Sequence, residues 1–243
     1  MTHGSGPVPL LRLSGLDVAP AGRLDPVLTG VTFDAIAGEC IALVGPSGAG
    51  KTTLLRTIAA MIPPHGGDVL FDGQDLSRLS GYALRRARSR IGMITQKHDL
   101  VETLRVDRNV MAGALGRWSV WRALRFLAWP TRAELAEAEE ALAAVGLADK
   151  LKRPTASLSG GEQQRVAIAR TLIQAPFLLL ADEPVASLDP GTAEEVLLLL
   201  TRLARSSGMA LICSLHQPDL AARFCDRTFE LRDGRLSLMQ AQG

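Results

Sequence analysis

The run Gly45-Pro46-Ser47-Gly48-Ala49-Gly50-Lys51-Thr52 carries glycines, a lysine and a hydroxyl at the spacing that suits a phosphate cradle. Its glycines let consecutive backbone N–H groups turn inward around phosphate oxygens, and a helix starting at its end adds a positive pole. Lys51 would then neutralise the outer phosphates, and the Thr52 hydroxyl would ligate Mg²⁺, with Thr53 next in line. A second group of interest is Asp182-Glu183, at the end of the apolar run Phe177 to Ala181. The first acid suits a Mg²⁺ water shell and the second a general base acting on water, although a solvated helix cap explains two such acids equally well. A third is Leu158-Ser159-Gly160-Gly161-Glu162, where a hydroxyl and two glycine amides precede a helical pattern and form another anion cradle.

These residues need elements to hold them. Leu11 to Leu16 and Val27 to Phe33 are short apolar stretches parted by Pro20, Gly22 and Pro26, a pattern of short antiparallel strands. Ile41 to Val44 reads as a strand entering the glycine-rich loop, and Thr52 to Met61 as the helix leaving it. Val69 to Phe71 with the Asp72-Gly73 turn suggests a hairpin, and Ile91 to Ile94 a buried strand ending near Gln96. From about residue 98 to 175 strand signals vanish, and Arg132 to Val145 and Glu162 to Gln174 read as helices. Strand signals return at Phe177 to Ala181 and Ala210 to Ser214, with a helical pattern from Gly191 to Arg205 between them, the alternation of a parallel sheet. Arg227 to Leu231 and Leu236 to Met239 form a closing hairpin through Asp233-Gly234. The expected fold class is α/β, over a single domain spanning 1–243 with a helical insertion at 98–175.

Composition narrows the class. The chain has 243 residues, 47% of them hydrophobic, enough for a substantial core. Lys and Arg number 27 against 25 Asp and Glu, so no basic surface argues for nucleic acid. Cys40, Cys213 and Cys225 are widely spaced, lack metal or redox spacing, and read as small buried apolar residues. Every apolar run breaks well short of the about 20 residues a spanning helix requires. Met1 to Pro9 lacks the pattern of a secretory signal and reads as a frayed tail.

The Leu158 to Gly161 run, together with the phosphate loop and the acids, resembles the ABC ATPase family. The resemblance implies a P-loop NTPase domain of ABC type: an N-terminal antiparallel β lobe, a mostly parallel core sheet and an inserted helical subdomain. It further implies that Ser159, Gly160 and Gly161 cover the γ-phosphate bound by a partner chain, so that two chains, here a homodimer, sandwich two ATP molecules with Mg²⁺. In family order, Gln96 matches the loop that senses Mg²⁺ and the attacking water, Asp189 in Ser187-Leu188-Asp189 matches the loop that crosses the dimer, and His216 matches the histidine that contacts the γ-phosphate. Taken singly, Gln96 is also an ordinary strand-end residue, Asp189 a helix cap before Pro190, and His216 a surface histidine. Glu183 and His216 are the implied catalytic pair. Transmembrane permease subunits are the implied direct partners, a solute-binding protein an indirect one, and the cytoplasmic face of the inner membrane the implied location.

The aromatic residue on which the family stacks adenine is absent. Leu16 to Arg23 offers only Val18, Pro20 or the Arg23 stem, and the sole tyrosine, Tyr82, lies elsewhere, which predicts poor selection of ATP over GTP. Trp118, Trp121 and Trp129 all fall between Gly116 and Pro130 among arginines. They read either as rings packed within the helical lobe or as a surface meeting a membrane subunit or lipid headgroups. Asn109 to Gly113, Leu115 to Arg117, Trp121-Arg122, Ala181 to Pro190 and Leu215 to Gln217 are similar to ATP-binding subunits of phosphonate importers, which implies uptake of phosphonates or a related oxyanion. An exporter subunit, uptake of another small solute, and a soluble ABC protein remain alternatives on the sequence.

Overall fold

The computed structural model describes residues 8–19, 26–96 and 99–239. Two sheets carry the architecture. Leu11–Val18 (β1) lies between Leu28–Ala35 (β2) and Gly66–Phe71 (β4), antiparallel to both, and Gln74–Asp75 (β5) closes this four-stranded sheet. Along β1, Leu11, Leu13, Leu16 and Val18 are fully buried. A register shift after Leu13 lets both pairs of apolar residues face inward despite their odd spacing.

The six-stranded sheet has the order β10-β9-β3-β8-β7-β6. Its strands are Cys40–Val44 (β3), Ile91–Ile94 (β6), Leu178–Asp182 (β7), Ala210–Ser214 (β8), Arg227–Arg232 (β9) and Arg235–Leu238 (β10). β6, β7, β8, β3 and β9 run parallel, and only β10 is antiparallel. β3, β7 and β8 are buried throughout, as strands covered on both faces must be. The strand period of two sorts their side chains into two cores. Cys40, Ala42, Val44, Leu179, Ala181, Leu211 and Cys213 face one side. Ile41, Leu43, Leu178, Leu180, Ala210 and Ile212 face the other, where the β lobe and Leu54, Leu55 and Ile58 of Lys51–Ile58 (α1) pack.

The first core continues into helices. Val106–Met111 (α3), Arg132–Ala144 (α5), Gly160–Gln174 (α6) and Pro190–Ser207 (α7) all contribute to the cluster that covers the sheet. α5 and α6 open with capping boxes, Thr131 with Glu134 and Ser159 with Glu162, each satisfying two amides that a helix start leaves over. α7 starts on an Asp189 cap followed by Pro190 and stops at Gly208, whose φ of 66° ends the helix. Pro218–Phe224 (α8) precedes β9.

Every strand expected from the sequence is present within a few residues, as are α1, α5, α6 and α7. Phe177 stays outside β7: it is 46% exposed, and the Arg90 guanidinium lies 4.0 Å from its ring centroid. Gly81–Ser89 (α2) and Val120–Ala128 (α4) have no counterpart in the sequence reading. Cys40 and Cys213 are buried and Cys225 half-buried, all with free thiols. Burial pushes the thiols of Cys40 and Cys225 up to about 11 and about 12, which leaves them inert. Among the described residues no helix is long and apolar enough to cross a membrane. The frayed tail expected at Met1 to Pro9 lies almost wholly outside the described residues.

Candidate functional site

Because β3, β8, β7 and β6 are parallel neighbours, their carboxyl ends meet at one edge of the sheet. That edge delivers the phosphate loop from β3, Leu215-His216 from β8, Asp182-Glu183 from β7 and Gln96 from the turn after β6. Open α/β sheets place ligands at such an edge.

The loop curls around its own lysine. Lys51 is 4% exposed, and its Nζ donates to the carbonyls of Gly45 (2.7 Å) and Pro46 (3.2 Å). Burial lowers its pKa, against the opposing pull of the Glu183 and Asp182 carboxylates. Gly45 has φ 148°, and an added Cβ would lie 2.2 Å from the Leu231 carbonyl, so no other residue fits there. Gly50 begins α1 in the left-handed region at φ 105°, and no side chain caps the helix. The first amides of α1, on Lys51, Thr52 and Thr53, are therefore left for an anion. Ser47 and Gly48 are exposed and Ala49 half-buried, so the loop's outer rim opens to solvent.

Next to the loop, one oxygen of Asp182 is fully engaged. Oδ1 accepts from the Thr52 hydroxyl (3.1 Å) and from the Ser214 hydroxyl (2.9 Å), while Oδ2 accepts no hydrogen bond among the described residues. Among the described residues no three His, Cys, Asp or Glu side chains cluster as a metal site. A cation here must therefore complete its shell with phosphate and water oxygens around Thr52 and Asp182. An all-oxygen set of that kind fits Mg²⁺, which keeps several waters and one or two carboxylates.

Glu183 follows in the left-handed region at φ 51°, unusual for a residue with a Cβ. Its amide donates to Ser214 Oγ (2.8 Å), and its Oε1 lies 2.6 Å from His216 Nε2. The strained turn thus aims the carboxylate at the end of β8. Glu183 and His216 also line a cavity with Val185, Leu188 and Leu220. Gln96 is exposed beside this edge and makes no hydrogen bond among the described residues.

The second anion cradle is elsewhere. Ser159 and Gly160, exposed, and Gly161, half-buried, form the start of α6, and no hydrogen bond or ion pair joins them to the Gly45 to Thr52 loop among the described residues. Ser159 Oγ accepts from the Glu162 amide at 3.3 Å, and the Glu162 carboxylate accepts in turn from the Ser159 amide at 2.9 Å. Gly161 packs tightly: an added Cβ would lie 2.8 Å from Thr192 Cγ2 at the start of α7. Asp189 is exposed and caps α7, accepting from the Thr192 amide at 3.1 Å; the Thr192 hydroxyl and then that amide hold its carboxyl below the usual range.

Two sequence expectations need correction. Val18 is fully buried within β1, its side chain facing the core of the β lobe, so it offers no surface to adenine; Pro20 and Arg23 lie outside the described residues. The tryptophans do not act alike. Trp118 packs against Phe126 (centroids 5.3 Å apart) under the Arg122 guanidinium, whereas Trp121 and Trp129 are 82% and 78% exposed. The sequence reading passes over Ser214; a hydroxyl ending the otherwise apolar run Ala210 to Ser214 is the signal that could have found it.

The family described as ABC transporter matches residues 28–186. The chain is 44% identical over 228 residues to the phosphonates import ATP-binding protein PhnC 2 of Synechococcus sp., covering 93% of this chain and 83% of the relative. It is 43% identical to the phosphonates import ATP-binding protein PhnC of Bordetella parapertussis, covering 93% and 89%. Among solved structures it is similar to a dimeric bacterial ABC transporter cassette, MJ0796, with TM-score 0.81, 28% identity and coverage of 96% and 99%. A post-hydrolysis state of that cassette bound to ADP and Pi matches with TM-score 0.78 and 28% identity. By likeness over nearly its whole length, the chain belongs to the ABC transporter family as one of its ATP-hydrolysing cassettes.

Proposed function

We propose that this cassette energises uptake of phosphonates, or of a related phosphorus oxyanion, as a peripheral subunit on the cytoplasmic face of the inner membrane. The identity of 44% with a phosphonates import ATP-binding protein over 93% of the chain is the observation that carries the reading. Two copies pair head to tail, permease subunits take up the motion, and a solute-binding protein acts indirectly. The chain itself is one ATPase domain, with residues 98–175 as its helical subdomain.

In this reading the loop amides and Lys51 hold the nucleotide phosphates, moving the lysine's hydrogen bonds from the Gly45 and Pro46 carbonyls to phosphate oxygens. Thr52 and Asp182 would hold Mg²⁺, which would supply charge neutralisation at the phosphates. Glu183 accepts a proton from the attacking water, and His216, 2.6 Å from it, orients that carboxylate and contacts the γ-phosphate. Ser159 and the amides of Gly160 and Gly161 close over the γ-phosphate held by the other copy. Asp189 lies at the crossing between copies, and Gln96 reports the state of the site to the permease.

The outer face of α4 supports a membrane-side partner. Val120, Trp121, Leu124, Leu127 and Trp129 are all more than half exposed, while Arg122 and Arg125 turn inward to Glu134. The test is reconstitution with permease and binding protein in vesicles. ATPase stimulated by phosphonates, phosphite or phosphate, with solute accumulating on the cassette side, is expected. Stimulation by amino acids alone, or transport away from the cassette side, would refute it.

A further inference from the structure

We infer that Ser214 is a positioning residue for the reaction: a single buried hydroxyl that sets the cation-binding acid and the water-activating acid in register. The inference rests on the roles proposed above for Asp182 and Glu183.

Ser214 ends β8 directly opposite Asp182 in the parallel ladder and is fully buried. Its Oγ does two things at once. It donates to Asp182 Oδ1 at 2.9 Å and accepts from the Glu183 amide at 2.8 Å. A hydroxyl has one proton and accepting lone pairs, so this pair of bonds uses its donor capacity fully and in one direction.

Each bond has a consequence. The first fills Oδ1 together with Thr52, so the carboxylate cannot rotate without breaking both bonds, and Oδ2 is the oxygen left for a cation. The second holds the peptide between Asp182 and Glu183, where the chain leaves the ladder and turns to φ 51°. A left-handed residue with a Cβ is strained and persists only where its surroundings impose it. Ser214 supplies the bond that imposes it, and the outcome is a Glu183 carboxylate 2.6 Å from His216. His216 is itself two residues beyond Ser214, so one short segment places the histidine and ties down both acids.

A bland reading competes: Ser214 as a buried hydroxyl that finds convenient partners. Alanine there leaves the Glu183 amide without its acceptor and Asp182 Oδ1 held by Thr52 alone; valine adds the bulk of threonine without the hydroxyl. The experiment therefore compares Ser214→Ala, Ser214→Val and Ser214→Thr in the full chain. The readouts are thermal stability, affinity for a fluorescent ATP analogue in Mg²⁺ and in EDTA, and kcat, KM and Mg²⁺ half-saturation for ATP hydrolysis. We expect the alanine and valine variants to raise Mg²⁺ half-saturation and lower kcat by about 10- to 100-fold, the usual effect of removing a partner that orients a metal ligand. Affinity in EDTA stays within about twofold of wild type, because the phosphate loop is untouched, and Ser214→Thr restores the wild-type values. If alanine prevents folding, the isosteric threonine and valine variants decide the matter. Equal behaviour of those two, or a loss of stability with Mg²⁺ half-saturation and kcat unmoved, would overturn the inference. A wild-type chain showing no Mg²⁺-dependent ATP binding would instead refute the roles given to Asp182 and Glu183.

Discussion

Glu134 fastens the arm that carries the two exposed tryptophans, and its removal has a predictable size and pH dependence. The carboxylate is 3% exposed and accepts from the Thr131 amide (3.0 Å), from Arg122 Nε (3.2 Å) and from Arg125. Burial alone would raise its pKa, but the Thr131 amide and the two guanidinium groups outweigh that and bring it from 4.5 down to about 2. A depression of that size corresponds to about 3 kcal/mol of stabilisation. Both arginine side chains are substantially exposed, 50% and 39%, so water recovers part of this when the charge is removed. About 2 kcal/mol is expected for Glu134→Gln, whose amide can still accept from Thr131. Glu134→Ala removes that acceptor as well and costs about 0.5–1 kcal/mol more. For a chain of this length 2 kcal/mol is roughly 4–8 °C in Tm. Since the folded pKa is depressed, the contribution is complete above about 4.5 and disappears as pH falls toward about 2. All three tryptophans lie at 118–129, so intrinsic fluorescence reports on this arm while circular dichroism reports on the whole chain. Glu134→Gln should loosen Trp118 from Phe126 and red-shift the emission on mild heating before the dichroism changes. Wild type melting with Glu134→Gln at neutral pH, or a difference between them that stays constant from pH 4.5 to 2, would refute this account of the arm.

Further outcomes concern the nucleotide. Lys51→Ala should abolish tight ATP binding in a fluorescence titration while the fold survives, because among the described residues its buried ammonium bonds to loop carbonyls alone; retained binding would remove Lys51 from the site. ATP and GTP should be hydrolysed with similar kcat/KM, since Val18 is buried and Leu16 to Arg23 contains no Phe, Tyr or Trp; a large preference for ATP would show another means of holding adenine. Glu183→Gln should bind ATP, nearly stop hydrolysis and accumulate a closed dimer in size-exclusion chromatography; undiminished turnover would strip Glu183 of its role as base.

What the sequence disclosed is what sits close together along the chain. The Gly45 to Thr52 loop, the acids Asp182-Glu183 and the cap at Ser159 each carry their chemistry within a few residues, and β3, β7 and β8 announce themselves as short apolar runs. The link from Ser214 to Asp182 spans 32 residues and depends on strand order, which no local pattern reveals. α4 is passed over although Val120, Trp121, Leu124 and Leu127 recur at helical spacing; that apolar face is exposed, and Phe126 is the one residue of the helix that is buried. α2 holds three arginines, Arg85, Arg86 and Arg88, and buries only Ala87, so no apolar run marks it as a helix.

The central claim is that each hydrolytic site is completed by a second copy. Lys51→Ala disables the loop half, and Gly160→Asp disables the other half by placing a carboxylate in the anion cradle. Space exists for that change, the nearest atom to an added Cβ being Leu188 Cδ2 at 4.0 Å, and an acid at a helix start does not disturb the fold. Each variant alone should be inactive. Mixed in equal amounts and allowed to exchange, half of the dimers pair one with the other, and each such dimer keeps one intact composite site. The account predicts recovery of ATPase to roughly a quarter of wild type on random pairing of equivalent sites; a mixture as inactive as its components would contradict it.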